Sequence, residues 1–283
     1  MYVDGEFMSG GPLYGFCRLA TSVLPLLSNL TTLELDGPTE GEPGGDKVPI
    51  LYGKIWRGVS FPCLRDLSLR LDHTEDIHGF LSRHGKALER LTCNSSFGET
   101  SKMLKKLHLP RLVFLNGYGD SIPPLLEVVK VPHLKEVVIT NVFWPGELQS
   151  ALAAVATVID AQDQAFRLRL THCHCNLSSI LQLVIAQIPT VAHLDVEGAR
   201  WDTAGACFSE YMGDFEKFQN LKSFKWPPSL YTSQAGPTGI TIHETVVLFG
   251  KHCPKLEKCQ LPYGDKPGWI RSLGDMWIPS EEV

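Results

Sequence analysis

The sequence predicts an α/β protein: a right-handed βα solenoid whose parallel strands form a concave sheet, with helices on the outside. Three observations carry this expectation. Nine variants of a Leu-x-x-Leu-x-Leu segment run along the chain. Between them the apolar spacing changes from every second residue to about every 3.6, which is the difference between a strand and a helix. Proline stands two residues ahead of the first apolar anchor in five of the nine, at Pro62, Pro110, Pro132, Pro189 and Pro254. Its fixed φ and missing N–H stop a preceding helix and start an extended segment. Such strand–helix units cannot bury their own apolar faces and must stack on their neighbours.

Taken in order, residues 1–12 are Gly-rich, carry no pattern and are expected to be disordered. Apolar residues at helical spacing follow from Leu13 to Leu27, and Leu30, Leu33 and Leu35 form the first strand core. Residues 36–49, rich in Gly, Pro and acid, are expected to be a loop. That loop is either an acidic docking tongue or a tolerated insertion. The later strand cores are Leu64/Leu67/Leu69, Leu88/Leu91/Cys93, Leu112/Leu115/Gly117, Leu134/Val137/Ile139, Ala165/Leu168/Leu170, Val191/Leu194/Val196, Leu221/Phe224/Trp226 and Leu256/Cys259/Leu261. Helical spacing is read over Asp76–Ala87, Ser101–Leu107, Pro145–Ile159, Asn176–Ile188, Thr203–Phe218 and Thr241–Cys253. Ser121–Val129 holds a short helix beginning at its prolines. Asn176 is a candidate cap, and Thr241 with Glu244 fits a capping box. The solenoid thus spans residues 13–262, and the Trp-rich residues 263–283 are expected to cap its last repeat, with partner binding as the other reading.

Bulk properties exclude several classes. With 283 residues, 43% of them hydrophobic, the chain can bury a large core. A net charge of −5 argues against nucleic acid and anionic membrane as partners. No apolar run approaches the roughly 18 residues of a membrane span, and no secretory leader is visible. Eight cysteines are too dilute for a disulfide framework, so reduced thiols and a cytoplasmic or nuclear location are expected.

Through Leu64-x-x-Leu67-x-Leu69, and through Ala165-x-x-Leu168-x-Leu170-x-x-Cys173, the chain resembles the leucine-rich repeat family. Cys173 stands where the family pattern has Asn or Cys. The varying repeat lengths, the Pro-x-Leu entries and the late His252-Cys253-Pro254-Lys255-Leu256-Glu257 resemble the repeat region of fungal F-box proteins. No Leu-Pro-led F-box module precedes the repeats. The resemblance implies a horseshoe fold and, if an F-box lies upstream, cullin-type ubiquitin ligase subunits as partners.

Chemistry-bearing patterns are few. His172-Cys173-His174-Cys175 is the conspicuous one, and a metal-binding or hydrolytic protein centred on it is the alternative function. Contiguous ligands suit zinc poorly, because an extended strand sends the two His and the two Cys to opposite faces. Gly53-Lys54-Ile55 lacks the hydroxyl of a phosphate loop, and His243-Glu244 lacks the second His of a metalloprotease helix. Lys102, Lys105 and Lys106 share a helical face that reads as solvated. No catalytic residue, metal or cofactor is expected.

The outward face of the sheet remains as the candidate surface. Strand parity predicts that Arg90 neighbours Asp66, Arg167 neighbours Glu136, and Arg169 neighbours Asp195. The partner-binding candidates are Phe114, Asn116, Tyr118, Val138, Thr140, Arg167, Arg169, His193 and Asp195. Aromatic and apolar groups within a charged rim are how a protein-binding surface is built. A non-catalytic scaffold that binds a protein partner is the expected function.

Overall fold

A computed structural model describes residues 19, 22–36, 59–70, 74–94, 106–159, 165–198, 213–226, 242–261, 268–272 and 275–280. The expectations for residues 1–12, for the acidic loop past Asp36, for Lys102 and Lys105, for the Thr241 cap and for most of the helices at 101–107 and 203–218 lie outside these residues. The chain forms two compact units, Met1–Leu134 and Lys135–Val283. Each is mixed α/β around a mostly parallel sheet.

The first unit places four parallel strands side by side: β1 (Thr32–Asp36), β2 (Asp66–Arg70), β3 (Arg90–Cys93) and β5 (Phe114–Tyr118). Their register aligns Leu33, Leu67, Leu91 and Leu115, all buried beneath the sheet. A slip of one residue would turn every one of these leucines to the opposite face, which is why an alternating pattern specifies register so strongly. Helix α1 (Thr74–His84) follows β2 and buries Phe80, Leu81 and His84. Helix α2 (Ile122–Val128) starts with its prolines in the first turn, where a missing N–H costs nothing. Unexpected from the sequence, β4 (Leu107–His108) and β6 (Val129–Lys130) form a separate two-residue parallel pair. Leu107, read as the end of a helix, is therefore a strand residue.

The second unit orders β7 (Glu136–Thr140), β8 (Arg167–Thr171), β9 (His193–Val196), β10 (Ser223–Lys225) and β11 (Lys258–Gln260) in parallel. Val137, Leu168, Leu194, Phe224 and Cys259 align across it and are buried. Helices α3 (Pro145–Ala156) and α4 (Leu177–Gln187) each bury four residues at matching spacing: Leu148, Ala151, Leu152 and Val155, then Leu177, Ile180, Leu181 and Val184. Asn176 caps α4 by accepting the Ser179 N–H at 2.8 Å. Helix α5 (Ile242–His252) brings Phe249 to Phe215, with ring centroids 4.4 Å apart, and Phe224 meets Phe215 edge-on at 5.1 Å. The C-terminal segment adds two antiparallel strands, β12 (Gly268–Arg271) on β11 and then β13 (Trp277–Ser280). The ring of Trp277 lies directly against Gly250 of α5, where a Cβ would stand 2.7 Å from the indole Nε1.

At Pro189 and Pro254 the proline stands just past a helix end and ahead of a strand, as expected, and at four sites it also sits in a turn. Pro62, Pro110, Pro189 and Pro254 each occupy the second position of a turn closed by the anchor residue. Leu64 N–H donates to Phe61 O at 3.2 Å, Leu112 to Leu109 at 3.3 Å, Val191 to Ile188 at 3.2 Å and Leu256 to Cys253 at 2.9 Å. Proline's fixed φ suits that second position. At the start of these strands, two successive N–H groups converge on one carbonyl that lies just ahead of the preceding strand. Arg65 and Asp66 meet Thr31 O, Glu89 and Arg90 meet Arg65 O, and Val113 and Phe114 meet Glu89 O. The second unit repeats the device at Phe166, Ala192 and Lys222.

Candidate functional site: the outward face of each sheet

Because alternate side chains point to opposite faces, the aligned leucines leave a second set of aligned residues facing outward. In the first unit one such row is Thr32, Asp66, Arg90 and Phe114. Arg90 Nε lies 3.8 Å from Asp66, and its guanidinium carbon sits 3.8 Å over the Phe114 ring. The expected Arg90–Asp66 neighbours are therefore in contact. One face of Phe114 is covered by a cation, a pairing worth about 0.5–1 kcal/mol at an exposed site. Asn116 and Tyr118 are half-buried on the same strand.

In the second unit the rows run Glu136, Arg167, His193, Ser223, Lys258 and then Val138, Arg169, Asp195, Lys225, Gln260. Arg169 reaches Asp195 at 3.2 Å, as parity predicts, and also Glu136 at 3.9 Å. Arg167 and Glu136 are register neighbours, as expected, but the ion pair to Glu136 comes from Arg169, which reaches it diagonally. Arg167 is left exposed to solvent. Val138 is corrected. It lies in the outward row beside Arg169 yet is only 6% exposed, so it offers little surface to a partner. Thr140 is half-buried, and its hydroxyl accepts from Thr171 Oγ1 at 3.1 Å.

Electrostatics differ along this face. Burial first, and then the positive charges of Arg167 and Lys222, hold the His193 imidazole below its ordinary range, with Glu257 opposing. Burial pushes the Asp195 carboxyl up, against the pull of Arg169 and Lys225.

The corners that end the strands were not foreseen. Asn141, His172 and Gly198 all adopt positive φ, at 54°, 51° and 82°, just past β7, β8 and β9. Asn141 N–H donates to Thr171 O at 3.1 Å, and Cys173 N–H donates to Glu197 O at 3.2 Å. A Cβ on Gly198 would meet His172 Cα and Cys173 N at 3.3 Å, which adds crowding to a conformation that L side chains rarely adopt. Directly after the first corner stand Phe143 and Trp144, 54% and 73% exposed, with the Phe143 ring stacked on His174 at 5.1 Å. These aromatics fall outside the strand-parity candidates. Two large aromatics ahead of a helix-starting proline were the available signal.

The corner also decides the geometry of His172-Cys173-His174-Cys175. Cys173 and Cys175 point into the core, whereas His172 is exposed and His174 half-buried. Cys173's hydrogen bond with Cys175, and then burial, push the Cys173 thiol far above its usual range, away from the thiolate that metal binding or nucleophilic attack needs. Among the described residues, no three His, Cys, Asp or Glu side chains converge as a ligand set. Of the six described cysteines, only Cys63 is exposed. Among the described residues no helix is long and apolar enough to cross a membrane. Compared with known proteins, the chain matches no family model, no curated protein and no solved structure.

Proposed function

We propose that the chain is a leucine-rich-repeat-type βα solenoid that serves as a non-catalytic scaffold, binding a protein partner on the outward face of its strands. The observation that carries this reading is the repeated register. In both units buried apolar residues align on one side while polar, charged and aromatic residues align on the other. The strand-entry turns, the paired N–H contacts and the corners recur from repeat to repeat, which supports one module copied along the chain. An open row of half-exposed side chains on rigid strands suits recognition of a macromolecule. The resemblance to the repeat region of fungal F-box proteins adds a specific role, presentation of a substrate to a cullin-type ubiquitin ligase, by family analogy alone.

The test is affinity capture from a native extract, probed for cullin-ligase subunits, with wild type compared against Tyr118→Ala and Phe114→Ala. Both variants should retain thermal unfolding close to wild type and lose captured partner. Equal loss of folding would assign the two rings to the core and remove them from the binding surface.

A further inference from the structure

The two outward rows of the second unit hold four permanent cations, Arg167, Arg169, Lys225 and Lys258, against two carboxylates, Glu136 and Asp195. Both carboxylates are taken by the single guanidinium of Arg169. Among the described residues, Arg167, Lys225 and Lys258 form no ion pair. Within these two rows the surplus is positive on a protein whose net charge is −5, with Glu197 and Glu257 at their margins. The three cations stand on β8, β10 and β11, and strands lie about 4.8 Å apart, so they span roughly 14 Å across the sheet. Arg167 and Lys258 share one row, and an extended chain, advancing about 3.3 Å per residue, presents carboxylates four residues apart on one face about 13 Å from each other, which matches that span.

We propose that the open sheet face of the second unit docks an acidic polypeptide segment, with Arg167, Lys225 and Lys258 as its cationic contacts. The proposal rests on the interaction-scaffold reading and adds the chemistry of the partner. The overall negative charge works against a nucleic acid, whose phosphates would meet repulsion from the remaining surface.

Fluorescence anisotropy with the full chain tests it. The probe is a short labelled peptide of repeating Asp-Gly-Leu-Gly units, with Asn-Gly-Leu-Gly and Lys-Gly-Leu-Gly versions and a single-stranded DNA oligonucleotide for comparison. The Asp peptide should bind, weaken as salt is added, and lose about tenfold or more in affinity on combining Arg167→Glu with Lys258→Glu. Both side chains are exposed, so the variant should keep its circular dichroism and melting temperature; the single Lys258→Gln change, which adds no negative charge, should give a smaller loss in the same direction. Equal binding of the Asn peptide, undiminished in the charge-reversed variant, would overturn the acidic partner while leaving the open-face scaffold intact. Tighter binding of the oligonucleotide, or binding by none of the probes, would overturn the proposal too. The scaffold reading is decided separately by the Phe114 and Tyr118 capture experiment, which does not depend on these cations.

Discussion

Gly250 and Trp277 offer a sign reversal as a test of how the C-terminal strands are held. In Gly250→Ala the new methyl would stand 2.7 Å from the Trp277 Nε1, 2.9 Å from Cζ2 and 3.0 Å from Cε2. An indole buried to 5% exposure has little room to retreat, so the overpacking costs about 1–3 kcal/mol. Against this, exchanging Gly for Ala inside α5 gains at most about 1 kcal/mol from helix propensity. The clash wins, and the single variant should lose up to about 2 kcal/mol. Trp277→Ala removes the obstacle, itself at a cost of about 3–5 kcal/mol, and in that background Gly250→Ala should stabilise by up to about 1 kcal/mol. Urea unfolding of the four proteins, followed by far-ultraviolet circular dichroism, measures the cycle. Additive effects, or a Gly250→Ala single variant more stable than wild type, would refute the packing of β13 on α5.

Three further outcomes follow from the core, the corner and a buried imidazole. Leu170→Ala, at a fully buried position, should cost about 2–5 kcal/mol in the same urea assay, and a neutral result would place the β8 leucines on the wrong face. Gly198→Ala should lower stability by about 1–2 kcal/mol, because the residue must keep a φ of 82°; unchanged stability would show that the corner relaxes freely. His84 packs 4.3 Å from Phe80, its Nδ1 accepts the Phe61 N–H at 3.4 Å, and burial followed by the Arg83 charge lowers its pKa from 6.5. A histidine with a depressed folded pKa contributes stability above the unfolded value, lost as pH falls through it. The urea midpoint should therefore drop below about pH 6.5 in wild type and less so in His84→Gln, and parallel pH profiles for the two proteins would count against a buried neutral imidazole.

Much of each sheet was legible because period-two alternation leaves no choice of face. Leu33, Leu67, Leu91 and Leu115 could be aligned from spacing alone, and so could Arg169 with Asp195. What escaped had no periodic signal. Two-residue strands such as β4 and β6 carry no alternation to detect. The corners at Asn141 and His172 are ordinary residues in an uncommon conformation, and a pattern of residue types does not encode the sign of φ. The ion pair from Arg169 to Glu136 depends on a long side chain reaching a diagonal neighbour as well as its lateral one, Asp195, a matter of reach and not of register. Val138 sits at the correct parity but is covered, because parity fixes direction and not exposure.

Strand β9 is bracketed on both sides, by the turn that Val191 closes and by the left-handed corner at Gly198. Anchor-to-anchor distances run from 22 to 35 residues, yet each proline turn closes on its anchor over the same three-residue step wherever it is described. A single residue added between such a turn and its strand would swing that strand's whole outward row into the interior.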